Sequence, residues 1–207
     1  MIISHAHKFV FVAVPKTGTH SIREAMRPQL GPNDEEQARL FLEKRLKNPE
    51  LAAIGHGHIA LANLRQHMEP AAFESYFKFA FVRNPFDRFV SFCAFFTRKS
   101  GAFERDPKLA MRHFLFAAPP MNNMVFQPQN TFVVDEQGVL LSDFIGRVET
   151  MQADYDAICE RLGIPSEELG RQNSSQHDDY RSYYDQQLID GVVKIYGRDL
   201  ELFGYDF

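Results

Sequence analysis

Two short, uninterrupted apolar runs constrain what this chain can fold into more than any other feature. They are Lys8 to Val14 (KFVFVAV) and Tyr76 to Val82 (YFKFAFV). A strand with one wet face alternates apolar and polar residues. A run without alternation belongs at the centre of a sheet covered on both faces. Each run ends at a sharp turn, Pro15 in the first case and Asn84-Pro85 in the second, and helical periodicity follows each. After the first, Ile22, Ala25, Met26 and Leu30 share one face until Gly31-Pro32 stops the helix. After the second, Asn84 caps a helix opened by Pro85, with Phe86, Phe89, Val90, Cys93, Phe96 and Thr97 turned inward. This order predicts an α/β fold with a central, mainly parallel sheet flanked by helices.

The rest of the chain fills in around these units. Asp34 to Asn48 reads as an amphipathic helix, Leu51 to Ile54 as a short strand and Ile59 to His67 as another helix. Ala118 to Asn130 has no clear period and reads as a loop. Thr131 to Val134 and Val139 to Ile145 flank a turn at Asp135–Gly138, which predicts a strand pair. Thr150 to Leu162 aligns Met151, Tyr155, Ile158 and Leu162, and Gly163 and Pro165 stop it. A last helix is expected from Asp185 to Tyr196, ending at Gly197. No internal repeat is visible, and 207 residues suit one domain, 1–207.

Charge and composition exclude several classes. The chain carries 23 Lys and Arg against 27 Asp and Glu, a formal net charge of −4. General nucleic-acid binders are basic, so no nucleic-acid partner is expected; a local basic pocket for a small anion remains compatible. No apolar run nears the ~20 residues of a membrane span. His5, His7 and Lys8 interrupt the first residues, unlike a signal peptide. Cys93 and Cys159 fall inside apolar helical patterns, which predicts reduced core thiols and a cytoplasmic location. His5-x-His7 and His56-x-His58 have no acidic or Cys partner at metal-site spacing, so no metal is expected.

Both strand–helix turns carry the residues of an anion site. In FVAVPKTGTHSI, the backbone N–H groups from Thr17 to Ser21 would face a phosphate or sulfate at a helix N-terminus. Lys16 adds a mobile positive charge, and Thr17, Thr19 and Ser21 offer hydroxyls. The lysine precedes Gly18, so this is not the G-x-x-x-x-G-K-[ST] loop of nucleotide triphosphatases. The alternative is a plain turn in which Gly18 supplies only its backbone conformation. In FAFVRNPFDRFVSF, Arg83 at the strand end could clamp a phosphate and Ser91 add a hydroxyl, with Asp87, Arg88 and Ser91 on one helix face. The alternative is that Arg88 pairs with an acidic neighbour. Two anion sites at the C-terminal ends of parallel strands suggest a ligand with two separated anionic groups.

PKTGTHSI resembles the 5′-phosphosulfate loop of sulfotransferases, and RNPFDRFVSF resembles their 3′-phosphate motif. DFIGRVETMQADYDAICERLGI and IYGRDLELFGYDF resemble the carbohydrate, Golgi-type branch. The resemblance implies a P-loop-like three-layer fold, the donor 3′-phosphoadenosine 5′-phosphosulfate (PAPS), the product adenosine 3′,5′-bisphosphate and no metal. It also implies that Lys16, Thr17, Gly18, Thr19, His20 and Ser21 hold the 5′-phosphosulfate, and that Arg83 and Ser91 hold the 3′-phosphate. His20 stands where many members have Thr or Ser. The Golgi members' membrane anchor is missing here, which suits a soluble, bacterial-type member.

Sulfuryl transfer to a hydroxyl needs a base and positive charge at the leaving oxygen. A base works best with a pKa near working pH, which favours histidine. IGHGHIAL offers His56 and His58 and resembles the histidine pair of the uronyl 2-O-sulfotransferases, where the second histidine is taken as base. His58 is therefore the expected base, His56 an acceptor-positioning group, and Lys16 the stabiliser of charge on the bridging oxygen. The acceptor is expected to be a hydroxyl-bearing carbohydrate. Arg147 and Glu149, His177 and Arg181 in a polar loop, and the irregular stretch from Arg98 to Asn130 are further candidates for lining the ligand sites. The rivals are a nucleotide-dependent phosphotransferase and a non-catalytic nucleotide-binding module.

Overall fold

A computed structural model describes residues 1–38, 46–170 and 179–207. The chain forms two compact units. The first comprises Met1–Val82 and Thr131–Gln172, the second Arg83–Asn130 and Asn173–Phe207.

The first unit is built on a five-stranded sheet. Its strands are β1 (Ile2–Ser4), β2 (Phe9–Val12), β3 (Glu35–Glu36), β4 (Phe77–Val82) and β5 (Phe144–Arg147), in the order β3-β1-β2-β4-β5. The two apolar runs become β2 and β4, paired in parallel with Phe9 opposite Phe77 and Val12 opposite Ala80. β5 continues the parallel core, with Val82 opposite Arg147. β1 and β3 extend the other edge in antiparallel fashion. Every residue of β2 and β4 is buried, as the absence of alternation requires.

Helix α1 (Thr19–Met26) and helix α8 (Met151–Leu162) cover one face. Ile22, Ala25 and Met26 of α1 and Tyr155, Ile158 and Cys159 of α8 form one core with Phe9, Phe11, Phe77, Phe79 and Phe81. Lys78 points to the opposite face, as strand alternation demands. There its ammonium donates to the carbonyls of Phe73 and Tyr76 and lies 5.3 Å from the Phe73 ring. Phe73 belongs to α4 (Pro70–Ser75), which follows α2 (Pro49–Ala53) and α3 (Leu61–His67).

Several expectations need correction. Leu51 to Ile54 is not a strand but the end of α2 and its C-cap: Asn48 accepts from the amides of Glu50 and Leu51, and Pro49 opens the helix. Cap and proline together outweigh the short apolar run. The described start of the expected Asp34–Asn48 helix is extended, because Glu35 and Glu36 pair with β1; residues 39–45 lie outside the described residues. Thr131 to Ile145 gives a single bridge, Val134 to Leu140, around the Asp135–Gly138 turn, and the strand proper starts at Phe144.

The second unit is helical. It contains α5 (Pro85–Thr97), α6 (Ala102–Arg105), α7 (Pro107–Arg112) and α9 (Gln186–Phe203), so much of the stretch from Arg98 onward is regular. Phe86, Phe89, Phe92, Phe103, Phe126 and Tyr196 lead its core. The last helix passes through Gly197 to Phe203 and kinks at Tyr196, where the sequence had suggested an end. Buried Asp199 accepts from the amides of Gln129 and Asn130, which fixes the returning loop to α9.

Candidate functional site

The turn after β2 is shaped by its backbone. Lys16 and Gly18 both have φ +69°, and Gly18 caps α1 without any side-chain hydrogen bond. Lysine in this left-handed region carries strain of about 1–2 kcal/mol, a cost tolerated mainly where a loop needs that geometry. The amides of Gly18, Thr19 and His20 have no acceptor among the described residues, and no acidic side chain occupies the first turn. These orphan donors and the helix dipole make an anion cradle.

The hydroxyls divide. Thr17 donates to the Val14 carbonyl at 2.9 Å and braces the turn from within. Ser21 donates to the Gly170 carbonyl at 2.9 Å, and its amide bonds the Gly18 carbonyl, so neither group of Ser21 faces outward as the sequence suggested. Thr19 is buried and has no hydrogen-bond partner among the described residues. His20 is exposed on α1, yet partial desolvation of its ring, together with the charge of Arg23, lowers its pKa.

His58 is brought to the same turn. Its Nδ1 lies 2.6 Å from the carbonyl oxygen of Ala13, at the end of β2. A carbonyl only accepts, so Nδ1 carries the proton and Nε2 keeps its lone pair. Burial lowers the pKa of His58 to about 4, against the opposing hydrogen bond to Ala13 and with further lowering from nearby positive charge, including Arg23. His58 is thus neutral at pH 7. The His56 ring lies 6.1 Å from that of His58, and its Nδ1 accepts from the His58 amide at 3.3 Å.

Gln37 holds the histidine loop. Its Nε2 donates to the carbonyls of Leu51 and His56, at 2.9 and 3.1 Å. Gly57 packs so closely that a Cβ there would sit 1.9 Å from the Gln37 carbonyl oxygen. The sequence gives no local sign of Gln37's role, since it depends on strand β3 meeting β1.

In the second unit, the Arg83 Nε donates to Asp87 at 2.6 Å, while the Arg83 backbone exchanges two hydrogen bonds with the Gln129 side chain. Ser91 is buried on α5. Arg88 is 2% exposed and donates to the carbonyls of Val125 and Gln127. Through these two carbonyls it ties α5 to the returning loop.

Of the remaining candidates, Arg147 closes β5 and its amide donates to Asp154; Glu149 lies just beyond. Arg181 lies over the Tyr180 ring, and His177 lies outside the described residues. His5 is held by the Tyr76 hydroxyl and Glu35, at 2.8 and 3.0 Å.

A model described as "Sulfotransferase family" matches residues 1–206. The chain belongs to the sulfotransferase family. It is therefore a sulfotransferase, an enzyme that moves a sulfuryl group to a hydroxyl-bearing acceptor. An uncharacterized protein of Archaeoglobus fulgidus is 29% identical over 118 residues, which is 57% of this sulfotransferase and 93% of that protein. No solved structure matches. No described helix is long and apolar enough to cross a membrane. The sulfotransferase also has a buried arginine, Arg23, in a helical stretch whose sequence carries no motif to mark it.

Proposed function

We propose that this sulfotransferase takes its sulfuryl group from PAPS and delivers it to a hydroxyl of a carbohydrate, with His58 as base, and that residues 1–207 act as one domain. The observation that carries the reading is the hydrogen bond from His58 Nδ1 to Ala13, which leaves Nε2 its lone pair and ties the ring to the end of the strand that leads into the cradle turn. The cradle fits a phosphosulfate: three amides lack an acceptor among the described residues, Gly18 has no side chain in the way, and Lys16 adjoins them. Lys16, Thr17, Gly18, Thr19, His20 and Ser21 would hold that end of the donor, with Thr17 and Ser21 shaping the turn. Arg83 and Ser91 would hold the 3′-phosphate. The donor supplies a sulfuryl group on a good leaving group.

The residues then divide the work. His58 Nε2 takes the acceptor's proton as the oxygen attacks, and the Ala13 carbonyl supports the imidazolium that results. Lys16 stabilises charge gathering on the bridging oxygen. His56 positions the acceptor. Free, buried Cys93 and Cys159 support a reducing, cytoplasmic setting.

Titration calorimetry with adenosine 3′,5′-bisphosphate, with AMP and ATP as controls and no added metal, tests the donor half. Binding that favours the bisphosphate and weakens in Arg83→Ala supports it. Preference for ATP in a parallel titration with magnesium added would replace it with a phosphotransferase. Turnover of labelled PAPS on carbohydrate acceptors, lost in His58→Ala, tests the other half.

A further inference from the structure

Phe95, Phe96, Leu109 and Phe116 of the helical unit are exposed to solvent, Leu109 to 64%. They are not scattered. The Phe95 ring lies 5.5 Å from that of Phe96, Phe96 lies 6.4 Å from Phe114, and Phe114 lies 5.3 Å from the His113 ring. Leu109 stands one helical turn before His113, where α7 widens into a π-helical turn, His113–Ala117, that carries Phe116. Such turns are rare and recur at functional sites. The edge of the Phe116 ring rests on α9, 2.7 Å from where a Cβ on Gly191 would sit. Helix α5 already fills the core with Phe86, Phe89, Phe92 and Cys93, so Phe95 and Phe96 are surplus to it.

The same stretch is basic. Residues 95–116 hold five Lys and Arg against two acidic groups, a formal +3 on a chain whose total is −4. Of the two acids, Asp106 is held as the N-cap of α7 by the Leu109 amide. The Arg98 guanidinium lies 3.9 Å from the Phe95 ring centroid, so cation and aromatic share the surface. Lys99 and Lys108 are exposed and make no ion pair within 4 Å among the described residues. An exposed apolar patch set among cations suits few partners. A second copy meeting it across a two-fold axis would set these cations against their own kind. A nucleic acid would match the charge but has no layer to receive Leu109. An anionic bilayer offers both an acyl boundary for the apolar side chains and a negative surface for the lysines. The net charge of the whole chain does not oppose this, because salt screens charges beyond about 8–10 Å.

We propose that this face attaches the protein to an anionic lipid surface. Phe95, Phe96, Leu109 and Phe116 enter the headgroup layer, while Lys99 and Lys108, with Arg98 over Phe95, meet the lipid charge. The attachment is peripheral and reversible, since the patch is small and lies on short helices. It does not depend on the donor, base or acceptor proposed above.

Vesicle co-sedimentation tests it. The intact protein is titrated with vesicles of phosphatidylcholine containing about one-third phosphatidylserine, and with vesicles of phosphatidylcholine alone. It should bind the mixed vesicles at least about tenfold more tightly, and most of that preference should go between about 0.1 M and about 1 M salt, where the screening length falls from about 10 to about 3 Å. Lys99→Gln and Lys108→Gln should each weaken binding to the mixed vesicles about fivefold, the worth of one basic residue near such a surface. Leu109→Ser should weaken it about tenfold. All three positions are exposed, so the variants should melt with the parent; Phe96 is left intact because its ring packs 4.5 Å from Phe92. Sedimentation with neither vesicle, equal affinity for both, or binding unchanged in the three variants overturns the proposal. So does a dimer formed without lipid and dissolved by Leu109→Ser, which would give the face to a second copy.

Discussion

The Nδ1 of His58 lies 2.6 Å from the carbonyl oxygen of Ala13. That contact joins the histidine loop to the strand that feeds the Lys16 turn, and it sets the tautomer. A base needs a lone pair directed at its substrate, and this arrangement leaves Nε2 to serve. Replacing His58 with Gln or Ala should therefore lower kcat by about 10²–10⁴-fold while bisphosphate affinity stays within about twofold. Comparable turnover in the variant would move the base to His56.

The low pKa of His58 sets the pH profile. With a value of about 4, Nε2 stays unprotonated well below neutrality. The acid limb of kcat/KM should fall near pH 4 rather than near 6.5, and it should vanish in His58→Gln. An acid limb centred on 6.5 would place a different group in the rate.

The same shift makes a stability statement. The folded pKa lies below the unfolded value of about 6.5, so the unfolded chain binds more protons between those limits. Stability should therefore drop as pH falls from about 6.5 toward 4. The full shift would correspond to about 3 kcal/mol, and the partial solvent access of the ring reduces that to about 1–2 kcal/mol. Denaturant midpoints at pH 7 and pH 4.5 should differ less in His58→Gln than in the parent; an identical difference in both would refute the assignment.

Lys16 offers a separation of stability from activity. Its φ of +69° suits glycine, so Lys16→Gly should relieve strain and raise stability by about 0.5–1 kcal/mol, after allowing for glycine's larger unfolded-state freedom. The same change removes the charge at the leaving oxygen and should lower turnover by about 10²-fold or more. A thermal melt and a rate measurement on one preparation check both. A lower melting temperature would mean that the lysine's contacts outweigh the strain.

The residues that carry local information were legible from the sequence. β2, β4 and the turn motifs could be read because burial on both faces, proline and caps act within a few positions. Glu35 and Glu36 could not, since their strand exists only because Ile2 and Ile3 lie opposite them and because Arg27 and His5 pair with the carboxylates. The partners of Arg88 are hidden for a related reason: helical spacing groups it with Asp87 and Ser91, and the carbonyls of Val125 and Gln127 that hold it lie far along the chain. Gln37 matters through partners that sequence spacing does not display.

Gly57 brings these levels together. A Cβ at this position would lie 1.9 Å from the Gln37 carbonyl oxygen and 2.9 Å from its carbon, both backbone atoms of a strand edge that cannot swing aside. At Gly18 the corresponding obstacle is the flexible end of Met151, so there the objection to a side chain is the positive φ rather than space. Gly57→Ala must therefore push the His56–His58 segment away from Gln37, breaking the bond from Gln37 Nε2 to the His56 carbonyl and loosening His58 from Ala13. We expect a loss of about 2–3 kcal/mol in stability from the overpacking. Turnover should fall more than that loss explains at temperatures where the variant is folded, and the acid limb of its pH profile should move up toward 6.5 as the ring regains water. A folded variant with the parent's pH profile would show that the close packing of Gly57 on Gln37 does not hold the histidine in place.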